Sequence, residues 1–236
     1  NVATIENAFA NELEARKYLA TIYSYLPHHD KFNNNIALMG SDEITSWHIL
    51  TLDNQITPIR LVTGDQNRNS PILSYWSGDN NGRNYHEAIH DCNVFIENVS
   101  DESKIYDLTP SDRRRWLGEA YFLRAFYYFH LVRLFGEVPI INHEVTDLTM
   151  VQTEKSSVAQ VYEQIVSDLK LAIGNLPVSN ANGRAHYYAA KALLGKVYLQ
   201  MAGEPLEDSK AAALAEVELN EVIQSGRFEL VKDYFS

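Results

Sequence analysis

Cysteine is nearly absent from this chain. Cys92 stands alone among 236 residues, so no disulfide can form within the chain, and the redox compartment stays open. Basic charge is scarce as well: 20 Lys and Arg face 31 Asp and Glu, for a net charge of −11. Nucleic-acid binding needs a basic footprint, and the one cluster, Arg113-Arg114-Arg115, is short and opens an apolar helix. No apolar run approaches the roughly 20 residues that cross a bilayer as a helix. Eleven glycines and seven prolines are too few for a collagen-like or low-complexity chain. Nucleophilic catalysis finds no Gly-x-Ser-x-Gly elbow, and phosphate binding finds no Walker or dinucleotide loop around Gly78 and Gly82. No initiator Met, signal peptide or lipobox precedes Asn1-Val2-Ala3, so the chain is expected to have lost its beginning.

Apolar and aromatic residues are plentiful: 45% of the chain is hydrophobic and 11% aromatic, enough for one sizeable core. Their spacing predicts an all-α protein. A first helix is expected from Thr4 to Leu26, capped by Thr4 and stopped by Pro27, with Ile5, Phe9, Leu19 and Ile22 on its stripe. A polar stretch (28–35) and a short apolar piece (36–50) follow. Residues 51–84 hold no period and read as a long loop insertion, the kind of segment that carries function. Helix order returns at Tyr85. The clearest element runs from the Thr109 cap and Pro110 to Gly136, apolar around nearly its whole girth, which predicts burial between neighbours on two sides. Further helices are expected over 157–176, 184–201 and 208–225. The pair 157–202 has the size of a tetratricopeptide (TPR) hairpin, and Trp116-Leu117-Gly118-x-x-Tyr121 with Ala125-x-x-x-Phe129 echoes TPR spacing. The 208–225 helix has no partner after it, which predicts a chain that stops in mid-fold.

One motif points elsewhere. His86-Glu87-Ala88-Ile89-His90 is a literal HExxH, in which two histidines one turn apart bind zinc and the glutamate acts as general base. A metzincin extension would need Gly at 93 and His at 96, where this chain has Asn93 and Ile96, and a distant third ligand would have to be something like Glu119 in an apolar helix. A solvated pair of histidines is therefore expected, with no metal and no cofactor. Cys92 falls on an apolar stripe and reads as an inert buried thiol. The Arg113–Arg115 run reads as a solvated face, with Asp112 offsetting its unfavourable place at a helix start.

Several segments resemble the SusD/RagB family of outer-membrane nutrient-binding lipoproteins of Bacteroidetes. The fullest is Gly118-Glu119-Ala120-Tyr121-Phe122-Leu123-Arg124-Ala125-Phe126-Tyr127-Tyr128-Phe129-His130-Leu131-Val132-Arg133-Leu134-Phe135-Gly136-Glu137-Val138-Pro139. Tyr85-x-x-x-Ile89-x-x-Cys92-Asn93-x-Phe95-Ile96, Ala190-Lys191-Ala192-Leu193-Leu194-Gly195-Lys196-Val197-Tyr198-Leu199 and Val222-Ile223-Gln224-Ser225-Gly226-Arg227-Phe228-Glu229-Leu230 follow the family order. The resemblance implies four TPR-like units and a glycan-binding surface built from loops. It also implies a lipid anchor at the cell outer membrane and a SusC-like TonB-dependent transporter as partner, with no catalysis. Cys92 lies mid-helix and cannot be the lipidated cysteine, and the family's second half would lie beyond Ser236. Residues 1–236 are thus expected to be the N-terminal, TPR-containing half of a longer surface lipoprotein.

Sugar rings stack their C–H faces on aromatic planes while planar polar groups bind hydroxyl pairs. The stretch 42–84 supplies that mixture, and Trp76, Trp47, Tyr75, Asp42, Arg60, Asp79 and Asn80 are the expected ligand residues. The alternatives are a TPR scaffold for a protein or peptide, and a zinc peptidase built on His86, Glu87 and His90.

Overall fold

A computed structural model describes residues 5–26, 76, 84–146 and 154–230. Among these the structure is all-helical: α1 (Ile5–Ala8), α2 (Glu12–Tyr23), α3 (Tyr85–Ser100), α4 (Pro110–Phe135), α5 (Val158–Asn175), α6 (Tyr187–Ala202) and α7 (Ala211–Gln224). The Thr4 cap, the Pro27 stop, the 28–50 stretch and nearly all of the loop insertion lie outside the described residues.

The single helix expected over 4–26 is two. Asn11 is extended (φ −160°), and its side chain accepts the Glu14 N–H at 3.0 Å. An Asx cap competes with continued helix, and Glu12 and Glu14 in the new first turn favour that start electrostatically. The other boundaries follow the sequence closely. Asn84 caps α3, Thr109 caps α4 with Pro110 at its start, and Ser157 forms a reciprocal capping box with Gln160 on α5. Gly136 ends α4 at φ +70°, a left-handed turn that favours glycine.

Helices pack on their sequence neighbours: α3 on α4, α4 on α5, α5 on α6 and α6 on α7, with α2 laid across α3 and α4. This is a stack of TPR-like hairpins. Helix α4 is its centre, and Trp116, Leu123, Tyr127, Phe129 and Leu131 are all buried within it, as its unbroken apolar girth predicts. Phe95, Ile165, Leu169, Leu194 and Val197 carry the same core through α3, α5 and α6. Each such side chain contributes about 1.5–3 kcal/mol of burial. The outer face of α7 leaves Val217 and Ile223 exposed.

The Trp-Leu-Gly sequence of α4 has a packing reason. A Cβ on Gly118 would lie 2.9 Å from Leu176 Cγ and 3.1 Å from the Leu176 backbone nitrogen, where α5 ends. Gly118→Val is expected to lower stability by about 1–3 kcal/mol, since the clash outweighs a helix-propensity gain of under about 0.5 kcal/mol. The urea midpoint measures it, and an unchanged midpoint would mean that α4 and α5 do not approach this closely.

The Arg113–Arg115 run is not a uniformly solvated face. Arg113 is 9% exposed and donates to the carbonyls of Val99, Asp101, Lys104 and Ile105, closing the C-terminus of α3. Four carbonyl acceptors outweigh the unfavourable helix start: Val99 lies in the last turn of α3, where carbonyls lack helical partners, and the other three lie in the turn after it. Only Arg114 and Arg115 remain at the surface, the latter paired with Asp112 at 2.6 Å. Cys92 is fully buried and free, and burial pushes its thiol well up, as an inert cysteine requires.

Candidate functional site

Of the expected ligand residues, Trp76 is described; Trp47, Tyr75, Asp42, Arg60, Asp79 and Asn80 lie outside the described residues. Trp76 is half-buried where the start of α3 meets the end of α4. Its ring lies edge-on to His86 at 4.5 Å and to Phe135 at 5.2 Å. Two aromatic contacts fix the indole from the core side and leave part of it accessible.

The same packing occupies one arm of the HExxH motif. His86 is half-buried against Trp76, and its Nε2 atom is buried without a hydrogen-bond partner among the described residues. It is not the solvated histidine that spacing suggests: position 86 flanks the apolar stripe, but Trp76 extends the apolar cover over it. Glu87 is exposed and His90 partly exposed. Among the described residues no group of three His, Cys, Asp or Glu is placed to hold a metal. Glu119, the residue considered as a distant ligand, is committed elsewhere.

Burial holds the His86 imidazole below its ordinary value of 6.5. The unfolded chain therefore takes up a proton that the folded chain refuses, so the neutral imidazole's contribution is complete above that value and is lost as pH falls below it. The melting temperature is expected to drop from about pH 7.5 to about pH 5, and to drop less in His86→Phe. Equal drops in both proteins would show that His86 does not titrate in that window.

A second region was not legible from spacing. Glu119 on α4 is 2% exposed and fastens the segment after α5. Its Oε2 accepts from the Tyr23 hydroxyl at 2.8 Å and from Arg184 at 3.2 Å, and its Oε1 accepts from Asn180 at 3.1 Å. The Tyr23 oxygen in turn accepts the Ala185 N–H at 2.9 Å, and the Arg184 guanidinium lies 4.5 Å over the Tyr23 ring. One buried carboxylate thus joins α2, α4 and the 178–185 loop.

That loop is the shared wall of two clefts. One, of about 510 Å³, lies between the start of α4 and the end of α5 and takes in Arg114 and Arg115. The other, of about 350 Å³, takes in Arg184, His186, Arg227 and Phe228. Ser179, Asn180 and Ala181 line both. The His186 and Phe228 rings stack nearly parallel at 6.0 Å, and Arg227 lies 5.9 Å over Tyr188. The sequence signal was the Asn180-x-Asn182-Gly183-Arg184 turn, with Gly183 at φ +78°. Arg115 and Phe135 are twenty residues apart on α4. At 1.5 Å per residue the first cleft and Trp76 therefore stand about 30 Å apart, at opposite ends of that helix.

A SusD-like family model, described as starch-binding and associating with the outer membrane, matches residues 19–199. The chain is 31% identical over 179 residues to SusD-like protein P2 of Formosa agariphila, covering 71% of this chain and 32% of that protein. A laminarin-binding SusD-like protein of solved structure is 29% identical with a TM-score of 0.69, covering 90% of this chain and 44% of its own. A SusD superfamily protein from Parabacteroides distasonis is 26% identical with a TM-score of 0.71, covering 93% and 47%. The chain spans about a third of the curated relative and under half of each solved chain. Among the described residues no helix is long and apolar enough to cross a membrane.

Proposed function

Because this chain belongs to the SusD-like family, we propose that it is the N-terminal half of a non-catalytic protein that captures glycan at the outer membrane. The captured oligosaccharide passes to a SusC-like TonB-dependent transporter, and a lipid anchor holds the protein at the cell surface. The family match across residues 19–199 carries this reading. The likeness to a laminarin-binding protein at 29% identity supports sugar as the ligand class.

Within that reading Trp76 is the stacking platform, held by His86 and Phe135 so that its free portion meets the sugar without reorganising. Trp47 and Tyr75 supply further aromatic faces, and Asp42, Arg60, Asp79 and Asn80 take hydroxyl pairs. Capture needs no general acid or base. Affinity comes from C–H stacking and from polar groups that replace the sugar's bound water.

The test uses the full chain against a panel of oligosaccharides, followed by affinity electrophoresis and calorimetry. Trp76→Ala is expected to weaken the best ligand about 10-fold, the weight of one aromatic stacking contact. Trp76→Phe, which keeps a ring in the same socket, is expected to restore much of that loss. Equal binding by the wild type and Trp76→Ala would remove Trp76 from the site. Pull-down of the full chain from native outer membranes tests the partner, with a stoichiometric TonB-dependent transporter as the expected companion.

A further inference from the structure

The whole chain is acidic, with a net charge of −11, yet the clefts beside the 178–183 loop gather four arginines. Arg115 is answered by Asp112 and Arg184 by Glu119. Arg114 lines the first cleft and Arg227 the second, each without a carboxylate partner among the described residues. Asp112 is the one carboxylate among the described residues lining the clefts. At the first cleft the start of α4 favours an anion and the end of α5 opposes one, so the helix ends nearly offset each other and the guanidinium groups decide the sign.

The second cleft adds a donor and an apolar face. His186 Nδ1 accepts the Ala189 N–H at 3.3 Å, so the neutral ring carries its proton on Nε2 and offers it as a donor. Phe228 is 53% exposed and stacked on that imidazole. Each cleft falls within the roughly 300–1,000 Å³ common for small-ligand sites. Their shared wall is fastened by Glu119, which keeps the donors in place before a ligand arrives.

We propose that these clefts bind the anionic groups of an acidic oligosaccharide, carboxylate or ester sulfate, at a site separate from Trp76. The proposal rests on the glycan-capture reading above. Guanidinium groups match the flat geometry of a carboxylate and the oxygen face of a sulfate, and neither needs the carboxylate partners that neutral sugar hydroxyls would favour. Phe228 takes the C–H face of the same sugar unit. The overall negative charge opposes polyanions only weakly, because fields beyond about 8 Å are screened at physiological ionic strength. The local guanidinium cluster therefore governs contact.

Calorimetry of the full chain with three probes tests this: an oligogalacturonate, a sulfated galactan oligosaccharide and a neutral β-glucan oligosaccharide. At least one anionic probe is expected to bind, and which one binds identifies the group. Arg114→Gln with Arg227→Gln is expected to weaken it at least about 10-fold, while Arg16→Gln, an equal loss of charge per site at an exposed position of α2, leaves it unchanged. An unchanged melting temperature in the double variant assigns the loss to binding. If the neutral probe binds and neither anionic one does, this inference falls and glycan capture stands. Anionic binding that survives the double variant also overturns it. If nothing binds, this inference falls, and glycan capture is decided by the wider oligosaccharide panel and the pull-down.

Discussion

Asp168→Ala is expected to remove about 3–5 kcal/mol of folding stability, the range for stripping one partner from a buried ion pair. Arg124 on α4 holds Asp168 on α5 through two parallel bonds: Nε to Oδ2 at 2.8 Å, and a terminal nitrogen to Oδ1 at 2.6 Å. The side chains are 6% and 1% exposed. Burial works against the guanidinium's charge, but the bonds to Asp168 more than offset it, so Arg124 stays above its ordinary value. Removing the carboxylate leaves that charge in the core with Asn93 Oδ1 at 2.9 Å as its remaining side-chain hydrogen-bond acceptor among the described residues, and the Tyr121 ring 5.5 Å away. Asn93 in turn donates to the Ile141 and His143 carbonyls at 2.9 Å each. The loss should therefore spread from the α4–α5 contact to the segment that leaves α4. Urea denaturation followed by circular dichroism measures it. Arg124→Met with Asp168→Leu, which leaves neither charge, is expected to recover most of the stability. A loss under about 1 kcal/mol for Asp168→Ala would be the value of a surface pair and would contradict the burial.

This network shows what a sequence hides. The helices themselves are written in local signals: Thr109-Pro110 before α4, Gly136 after it, Ser157 with Gln160 at α5, and apolar spacing between. Caps and periodicity act within a few residues, so a reader of the sequence can apply them directly. Arg124 and Asp168 are 44 residues apart, and nothing near either marks the pairing. Arg113 misled for the same reason. Its neighbours Arg114 and Arg115 suggest a shared solvated face, but its four acceptors sit at the end of α3 and in the turn after it. The HExxH reading turned on His86, whose fate is decided by Trp76, ten positions earlier across an aperiodic stretch. Trp76 itself was legible as a tryptophan in a loop of the kind that carries function, but its socket on His86 and Phe135 was not. The arginine clefts were least legible, because they join the start of α4, the end of α5, the 178–185 loop and residues after α7.

Glu119→Ala is the other change expected to be large, at about 2–4 kcal/mol, and its effect should be local to one loop. The carboxylate serves three donors at once, and truncation leaves the Tyr23 hydroxyl short of an acceptor, while the Asn180 amide keeps only its bond to the Ala185 carbonyl at 2.7 Å. Arg184 suffers less, because 26% of its side chain reaches water. Tyr23 stays a donor throughout the working pH range: burial, then the nearby Glu119 charge, pushes its phenol far up. Glu119→Gln keeps an oxygen for Tyr23 but removes the charge that holds Arg184, so an intermediate loss is expected. The Ala185 N–H, which donates to the Tyr23 oxygen, reports the loop directly by hydrogen exchange. Its protection is expected to fall in Glu119→Ala well before global unfolding, while amides in the middle of α4 exchange only with the whole fold. A Tyr23→Phe, Glu119→Ala double variant separates the shared bond from its neighbours. If the two losses simply add, Tyr23 and Glu119 act independently and the hub is not one unit; a combined loss smaller than the sum is the expected result. The same loop is the wall between the arginine clefts. A Glu119→Ala protein that loses Ala185 protection while the amides in the middle of α4 keep theirs would therefore show that the clefts owe their shape to a carboxylate outside both linings.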